Sequence, residues 1–250
     1  MKQIFSAIIL LAGCLTMASQ APLGGTVVYT RTLIYDFQAT GNPEWDAYAK
    51  TLPGEGKFEK QLLFTPEASL YTESPFSGEA LSEVHQKAAF FVNYGKAPQP
   101  ALKQLYIDFR KEERCALLEF MTRDFRVKGP LKKKNWKLLP ERRKIGDYVC
   151  MKATTTHEGD PVVAWFTPEI PVPAGPAGYF GLPGLVLAVE RLDETIFLAS
   201  SVDLTPPGPE LLAEPAEGRL TSPEAFERIV AEKVKEFKEN GMDKAGYNQK

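Results

Sequence analysis

The side chains of this sequence that are best suited to catalysis or metal binding are two histidines, His85 and His157. Neither has the spacing to a cysteine, or to a carboxylate on a predicted helix, that a metal site requires. His157 lies beside a predicted turn, where a hydrated side chain is more common than a ligand or a general base. We therefore expect no metal, no cofactor and no catalytic residue, with a hydrolase that uses His157 or a thiol as the minor alternative.

The cysteines offer a second kind of chemistry. Cys115 and Cys150 form an even pair in the body of the chain, and such a pair in an exported protein predicts a disulfide. The alternative is two buried free thiols that pack as small apolar side chains. A reactive thiol is disfavoured, because Cys150 lies in a predicted strand between Val149 and Met151 and not at a helix N-terminus that would activate it.

Known catalytic motifs are missing from the sequence. It has no Gly-x-Ser-x-Gly elbow, no phosphate-binding loop and no dinucleotide fingerprint. The acidic pairs Glu112-Glu113 and Asp193-Glu194 fall at predicted turns, where carboxylates are ordinarily hydrated, and no spacing marks a glycosidase pair. The residue types therefore favour a non-enzymatic protein.

The elements that would hold these residues are mostly strands. Runs rich in β-branched and aromatic residues recur from Thr26–Phe37, "TVVYTRTLIYDF", onwards. Two hairpins are predicted, one from "YVCMKATTT" and "VVAWFT" around a Gly-Asp-Pro turn, the other from "GLVLAVERL" and "TIFLASSVDL". The segment "EALSEVHQKAAFFVNYG" fits either a short helix or a strand. We predict a mainly β fold, with a curved or half-barrel antiparallel sheet and a minor α component.

The minor α component is a C-terminal amphipathic helix over residues 223–240. Ser222 is a suitable N-cap, and Pro223 is a favourable first helical residue. Apolar residues then recur at helical spacing, at Phe226, Ile229, Val230, Val234 and Phe237. We predict that residues 22–250 form a single β-rich domain that ends in this helix, because a chain of this length can bury one core of good size.

Residues 1–21 have the features of an export signal. The apolar run from Ile4 to Leu11 is too short to span a bilayer. Residues 11–14, Leu-Ala-Gly-Cys, resemble the lipobox of bacterial lipoproteins, which predicts a lipid on Cys14 and attachment to a membrane through it. Cleavage after Ala18 or Ala21 is the alternative. In either case we expect an exported protein, located in the periplasm or at the outer membrane.

Charge is concentrated between Arg123 and Lys144, where ten basic and two acidic residues give a local charge of +8 in a chain whose net charge is −2. We predict a basic hairpin that carries Trp136. Either its lysines keep an exposed edge from pairing, or it contacts anionic lipid headgroups or an acidic partner. Nucleic acid is not expected as a partner of an exported protein. The main side chains of this basic patch are Lys132, Lys133, Lys134, Lys137, Arg142, Arg143 and Lys144.

The most unusual composition is that of residues 164–190, "AWFTPEIPVPAGPAGYFGLPGLVLAVE". Six prolines lie between Pro161 and Pro183, so this long loop has little conformational freedom to lose on folding. Pro183 and Gly184 are the expected central residues of a type II turn. The following run, Leu185–Val189, is apolar on both faces and predicts a strand that is covered on both sides.

This segment closely resembles the GLPGLI family of Gram-negative envelope proteins. The resemblance extends to "NWKLLPERRKIGDYVCMKATT" and "AWFTPEIP" and covers most of the chain after the signal, although residues 87–101 fall outside it. The family motif is matched by Gly181, Leu182, Pro183, Gly184, Leu185 and Val186.

The resemblance implies an exported protein whose biochemical function is unassigned, with no catalytic residues to transfer. It implies a structural role for the motif, in which Trp165 and Tyr179 are aromatic anchors that fix the loop by packing. The alternative is that a ligand binds in a groove beside the loop. We expect a non-enzymatic envelope protein that binds an unidentified envelope protein or an apolar ligand. A carrier that holds an apolar ligand inside a half-closed barrel is the second hypothesis.

Overall fold

The structure is a computed structural model that describes residues 23–35, 37, 41–75, 83–93, 96–157, 159–191 and 194–240. The predicted export signal and Cys14 lie outside the described residues. None of the described helices is both long enough and apolar enough to cross a membrane.

Twelve strands account for about half of the described chain and belong to one sheet. Neighbouring strands pair antiparallel, except that β12 pairs parallel with β6. The predicted mainly β, antiparallel fold is therefore confirmed. The strands are β1 Gly25–Ile34, β2 Glu55–Phe64, β3 Ala68–Glu73, β4 Ala101–Asp108, β5 Glu113–Phe120, β6 Arg123–Pro130, β7 Lys137–Ile145, β8 Tyr148–His157, β9 Asp160–Thr167, β10 Leu185–Arg191, β11 Glu194–Asp203 and β12 Arg219–Thr221.

Three α-helices accompany the sheet in the described part of the chain: α1 Pro43–Ala49, α2 Glu83–Asn93 and α3 Pro223–Glu239. The segment that fitted either a helix or a strand is thus helical over α2. The predicted C-terminal helix is α3, which Ser222 caps by accepting a hydrogen bond from the Ala225 N–H at 3.2 Å. Pro223 takes the first helical position, as its fixed φ favours.

The strand order across the sheet is β12-β6-β5-β4-β3-β2-β1-β11-β10-β9-β8-β7. Ten strand-to-strand steps separate β6 from β7, which is about 48 Å in a flat sheet. Yet residues 131–136 connect these two strands directly, and a chain from Pro130 to Lys137 can span at most about 25 Å. The sheet must therefore curve into an open half-barrel, with the 131–136 connection crossing its open side.

This order contradicts the predicted basic hairpin. β6 and β7 are consecutive in the chain, but they lie near opposite ends of the sheet and do not pair. The two hairpins predicted from turn residues are both present, as β8–β9 with His157 opposite Asp160 and as β10–β11 with Arg191 opposite Glu194. Turn residues thus predicted strand pairing correctly, whereas the run of basic residues did not.

The inner, concave face of the sheet carries the main core. Val27 and Tyr29 of β1, Leu62 of β2 and Tyr71 of β3 are buried there. The Pro/Gly loop, residues 168–184, packs over the middle of this face. Near the β6 edge, α3 covers the same face and places Phe226 against Phe120 and Phe125, with ring centroids 6.2 and 5.2 Å apart.

Candidate functional site

A groove of about 320 Å³ remains open on the inner face, between strands β4–β6 and the Pro/Gly loop. Its apolar side chains come from both sides: from Leu102, Leu105 and Ile107 of β4, and from Ala177 and Phe180 of the loop. Ala116, Leu118 and Val127 of β5 and β6 complete the apolar floor. The volume is at the lower end of the range for small-molecule sites.

The Pro/Gly loop forms the upper wall because backbone hydrogen bonds tie it to β10. The Val186 N–H donates to the Ala174 carbonyl and the Leu185 N–H donates to the Ile170 carbonyl, both at 3.0 Å. The chain then turns through left-handed conformations at Ala177 and Gly178, with φ of +46° and +84°. This turn brings residues 176–178 against β4, so the loop reaches across the inner face to the groove.

A turn is present at Pro183-Gly184, but it differs from the predicted type II turn. The Gly184 N–H donates to the Leu182 carbonyl at 2.8 Å, a bond between residues two apart that defines a γ-turn around Pro183. The Leu185 N–H, which a type II turn would direct at Leu182, instead donates to Ile170. The N–H groups at the end of the loop therefore donate to carbonyl groups within the same loop. The strand that follows, Leu185–Val189, is fully buried, as predicted.

Tyr179, one of the two aromatic anchors, lies next to the groove. Its ring is buried, and its centroid is 6.3 Å from that of Phe197 and 6.2 Å from that of His157. The Lys134 ammonium lies 5.3 Å from the Tyr179 centroid. The neighbouring Phe180 carbonyl accepts a 2.8 Å hydrogen bond from Trp136 Nε1, so the loop is attached to the 131–136 connection.

Trp165, the other anchor, is buried in β9 and does not line the groove. The Arg143 guanidinium lies 4.3 Å from its ring centroid and forms a 2.6 Å ion pair with Glu190. Lys152 lies 6.0 Å from the same centroid. Trp165 is thus held in a cation–π arrangement that joins β7, β8 and β9.

The rim of the groove is cationic. It carries Arg114 of β5, Lys132 and Lys134 of the 131–136 connection, and His157 at the end of β8. Burial, together with the nearby Arg114 charge, lowers the pKa of Lys134. The buried Arg114 Nε has no hydrogen-bond acceptor among the described residues. A ligand in this groove would meet positive charge as well as apolar surface.

The remaining side chains of the predicted basic patch do not form one surface. Lys133 pairs with Glu112 at 2.5 Å, and Arg143 is held on Trp165. Lys137, Arg142 and Lys144 lie exposed on β7, which is an edge strand in the sheet order. The structure therefore divides the patch into groove residues, ion-paired residues and an edge strand rich in cations.

The predicted disulfide is not formed, because Cys115 and Cys150 are both free and buried. They lie on β5 and β8, which seven other strands separate in the sheet order. Burial raises the pKa of both thiols, that of Cys150 to about 11. Both therefore pack as inert small side chains, which is the alternative that the sequence left open.

The histidines lie apart in the fold. His85 is on α2, with its ring centroid 6.2 Å from that of Tyr35 and 6.3 Å from that of Phe58. His157 lines the groove and contacts Tyr179, so it is more than the hydrated turn residue that the sequence predicts. In the part of the chain that the structure describes, no three His, Cys, Asp or Glu side chains are grouped to hold a metal ion.

Sequence reasoning missed Arg114 and Phe180 as groove residues. A signal for Arg114 did exist: it shares the inward-facing side of β5 with Ala116 and Leu118, where the alternation calls for an apolar residue. Phe180 gave no such signal, because a loop has no periodicity that tells which way a side chain points.

Residues 157–188 match a family described as "Protein of unknown function (Porph_ging)". This stretch runs from the end of β8 through β9 and the Pro/Gly loop into β10. No match was found among curated proteins. The chain is similar in fold to PNGF-II in two crystal structures, in space groups P21 and C2, with TM-scores of 0.53 and 0.54 at 16% and 15% identity.

The similarity to PNGF-II covers 84% of this chain but only 34% and 33% of the PNGF-II chains. The chain thus spans about a third of the length of PNGF-II. At this level of identity, the similarity shows a common fold and nothing further.

Proposed function

We propose that this protein is an exported cell-envelope protein of the GLPGLI type that binds an apolar ligand in the groove between β4–β6 and the Pro/Gly loop. The observation that carries the proposal is the groove itself, whose floor and upper wall are apolar. The family match over residues 157–188 supports the GLPGLI assignment, because it includes the motif of residues 181–186.

The packing of the inner face restricts where such a ligand can lie. Ile170, Val172, Ala174 and Leu182 of the loop are buried in the main core, so they occupy the middle of the half-barrel. A carrier that encloses its ligand deep inside the barrel would need this space. Binding is therefore proposed at the side of the loop and not beneath it.

A groove-filling variant tests this proposal. Leu102 lines the groove, and replacing it with Trp puts an indole into the open volume. We expect Leu102→Trp to weaken the binding of the neutral fluorescent probe N-phenyl-1-naphthylamine by at least about tenfold, which corresponds to about 1.4 kcal/mol. The measurement is a fluorescence titration of the folded protein.

Leu138→Trp is the matched control, because Leu138 is half exposed on β7 and does not line the groove. It introduces the same indole on a strand and should leave probe affinity unchanged. Ala116→Leu provides a second blocking variant if Leu102→Trp fails to fold. The proposal is wrong if the probe does not bind the parent protein, or if it binds all variants equally.

The proposed location is the envelope, with a lipid on Cys14. This proposal rests on the four-residue lipobox that precedes Cys14 and on the short apolar run before it. We expect mass spectrometry of the full chain expressed in a Gram-negative host to find a lipid-modified N-terminus at Cys14. Cys14→Ser should move the protein from the membrane fraction to the soluble fraction. A free N-terminus at Ser19 would instead show ordinary signal cleavage.

A further inference from the structure

The cations on the groove rim lie where the fold has no evident structural need for charge. Arg114 stands opposite Ile107 of β4 and Gly129 of β6, among the apolar side chains that line the groove. Lys134 is half buried and belongs to the connection that crosses the open side of the half-barrel. Cations in such positions lose hydration, so they are expected to be paired.

Carboxylates near the groove pair with other cations. Glu112 pairs with Lys133 at 2.5 Å, and Lys128 pairs with Glu214 at 2.7 Å and with Glu113 at 3.7 Å. Among the residues that the structure describes, neither Arg114 nor Lys134 forms an ion pair. The two side chains lie close enough that the charge of Arg114 disfavours the charged form of Lys134.

We infer that the ligand is an amphipathic acid, whose anionic group lies between Arg114 and Lys134 and whose apolar body packs on Leu105, Ile107 and Phe180. This inference rests on the proposed function and names the ligand class. A guanidinium donates two parallel hydrogen bonds to a carboxylate or a phosphate, and an ammonium adds a point charge. Lys132 extends the positive rim, and the His157 imidazole lines the same groove.

The size of the groove limits this class further. A volume of about 320 Å³ suits a single short acyl chain or an aromatic acid. It is too small for the two chains of a whole phospholipid. A free acid or a single-chain phosphate therefore fits the groove, and the two are distinguished by the head group that they carry.

The test compares ligands that share a ten-carbon chain and differ in the charge and type of their head group. Decanoate, decyl phosphate, methyl decanoate and decan-1-ol would each displace N-phenyl-1-naphthylamine from the protein at neutral pH. We expect an acid to displace the probe at about tenfold lower concentration than the ester or the alcohol, because hydrogen bonds to a charged group are stronger than those to a neutral one. Whether decanoate or decyl phosphate binds more tightly identifies the anionic group.

Variants assign this preference to residues. Arg114→Gln and Lys134→Gln should each remove most of the preference for acids, while the neutral probe still binds. Arg114→Lys keeps the positive charge but loses the two parallel N–H donors of the guanidinium. This variant should retain part of the preference for acids. The matched control is Lys137→Gln, which removes the same charge three residues from Lys134 at a site outside this groove. It should behave like the parent protein.

The outcomes separate the two proposals. Equal displacement by acid, ester and alcohol in the parent protein overturns the anionic ligand and leaves the apolar groove intact. Acid preference that survives both Gln variants overturns the assignment to Arg114 and Lys134. Failure of the neutral probe to bind the parent protein counts against the proposed function itself. If Arg114→Gln does not fold, Lys134→Gln alone tests whether these cations bind the anionic group.

Discussion

At the scale of single residues, the structure shows why a glycine follows Pro183 at position 184. A Cβ at this position would lie 2.1 Å from the Thr167 carbonyl oxygen and 2.7 Å from its carbon. Both atoms belong to the backbone of β9, so no side chain can rotate away to make room. The glycine is therefore required by the close approach of two backbones, and not by the type II turn that its sequence position suggests.

This close approach predicts a loss of stability. Gly184→Ala should lower the free energy of unfolding by about 2–3 kcal/mol, because the β9 backbone or the loop must move to accept the methyl group. The melting temperature of a domain of this size would fall by roughly 4–12 °C in a thermal unfolding experiment.

Gly54→Ala is the control for Gly184→Ala. A Cβ at Gly54 meets no atom within 4 Å, and its φ is not positive. Its effect should stay within about 0.5 kcal/mol. Equal melting temperatures for the two variants would show that the loop shifts freely and that the motif has no structural role.

At the scale of elements, the sequence predicted best where the signal is local. α3 begins at Pro223 as predicted and ends one residue early, because its N-cap, its first proline and its apolar stripe all lie within the helix itself. The β8–β9 hairpin followed from its turn residues for the same reason. These elements need no knowledge of the rest of the chain.

Pairing between distant segments was not predictable in the same way. The 131–136 connection looks like a hairpin loop in sequence, but it joins strands near opposite ends of the sheet because the sheet curves. Likewise, no local pattern brings Arg114, Lys134, His157 and Phe180 to one groove. The sequence marked Lys134 and His157 individually, but only the curvature shows that they share a site.

At the scale of the whole molecule, one connection both crosses the open side of the half-barrel and supplies a side chain to the proposed binding groove. Residues 131–136 cross the open side of the half-barrel, and Trp136 attaches them to the Pro/Gly loop. The same connection holds Lys134 over the groove, where burial and the Arg114 charge lower its pKa. The molecule thus keeps a cation that its own packing disfavours, which is the arrangement expected of a residue retained for a ligand.

This arrangement predicts a trade-off between stability and binding. Lys134→Gln should stabilise the ligand-free protein by about 0.5–1 kcal/mol at neutral pH, because it removes a half-buried charge that forms no ion pair with any described residue. Lys137→Gln should change stability little, since Lys137 is exposed. Chemical unfolding of both variants and the parent protein, at several pH values, measures the difference.

The pH dependence has a definite sign. The pKa of Lys134 is lower in the folded protein than in the unfolded chain, so between the two values the unfolded chain binds more protons and this residue makes stability rise with pH. The advantage of Lys134→Gln should therefore shrink as pH rises through the lowered pKa. The titratable groups that line a pocket with Lys134 or contact it are Arg114, Lys132, Lys137, His157 and Tyr179. A variant less stable than the parent at neutral pH would instead mean that the contact between Lys134 and the Tyr179 ring stabilises the fold, and the cation would need no ligand to explain it.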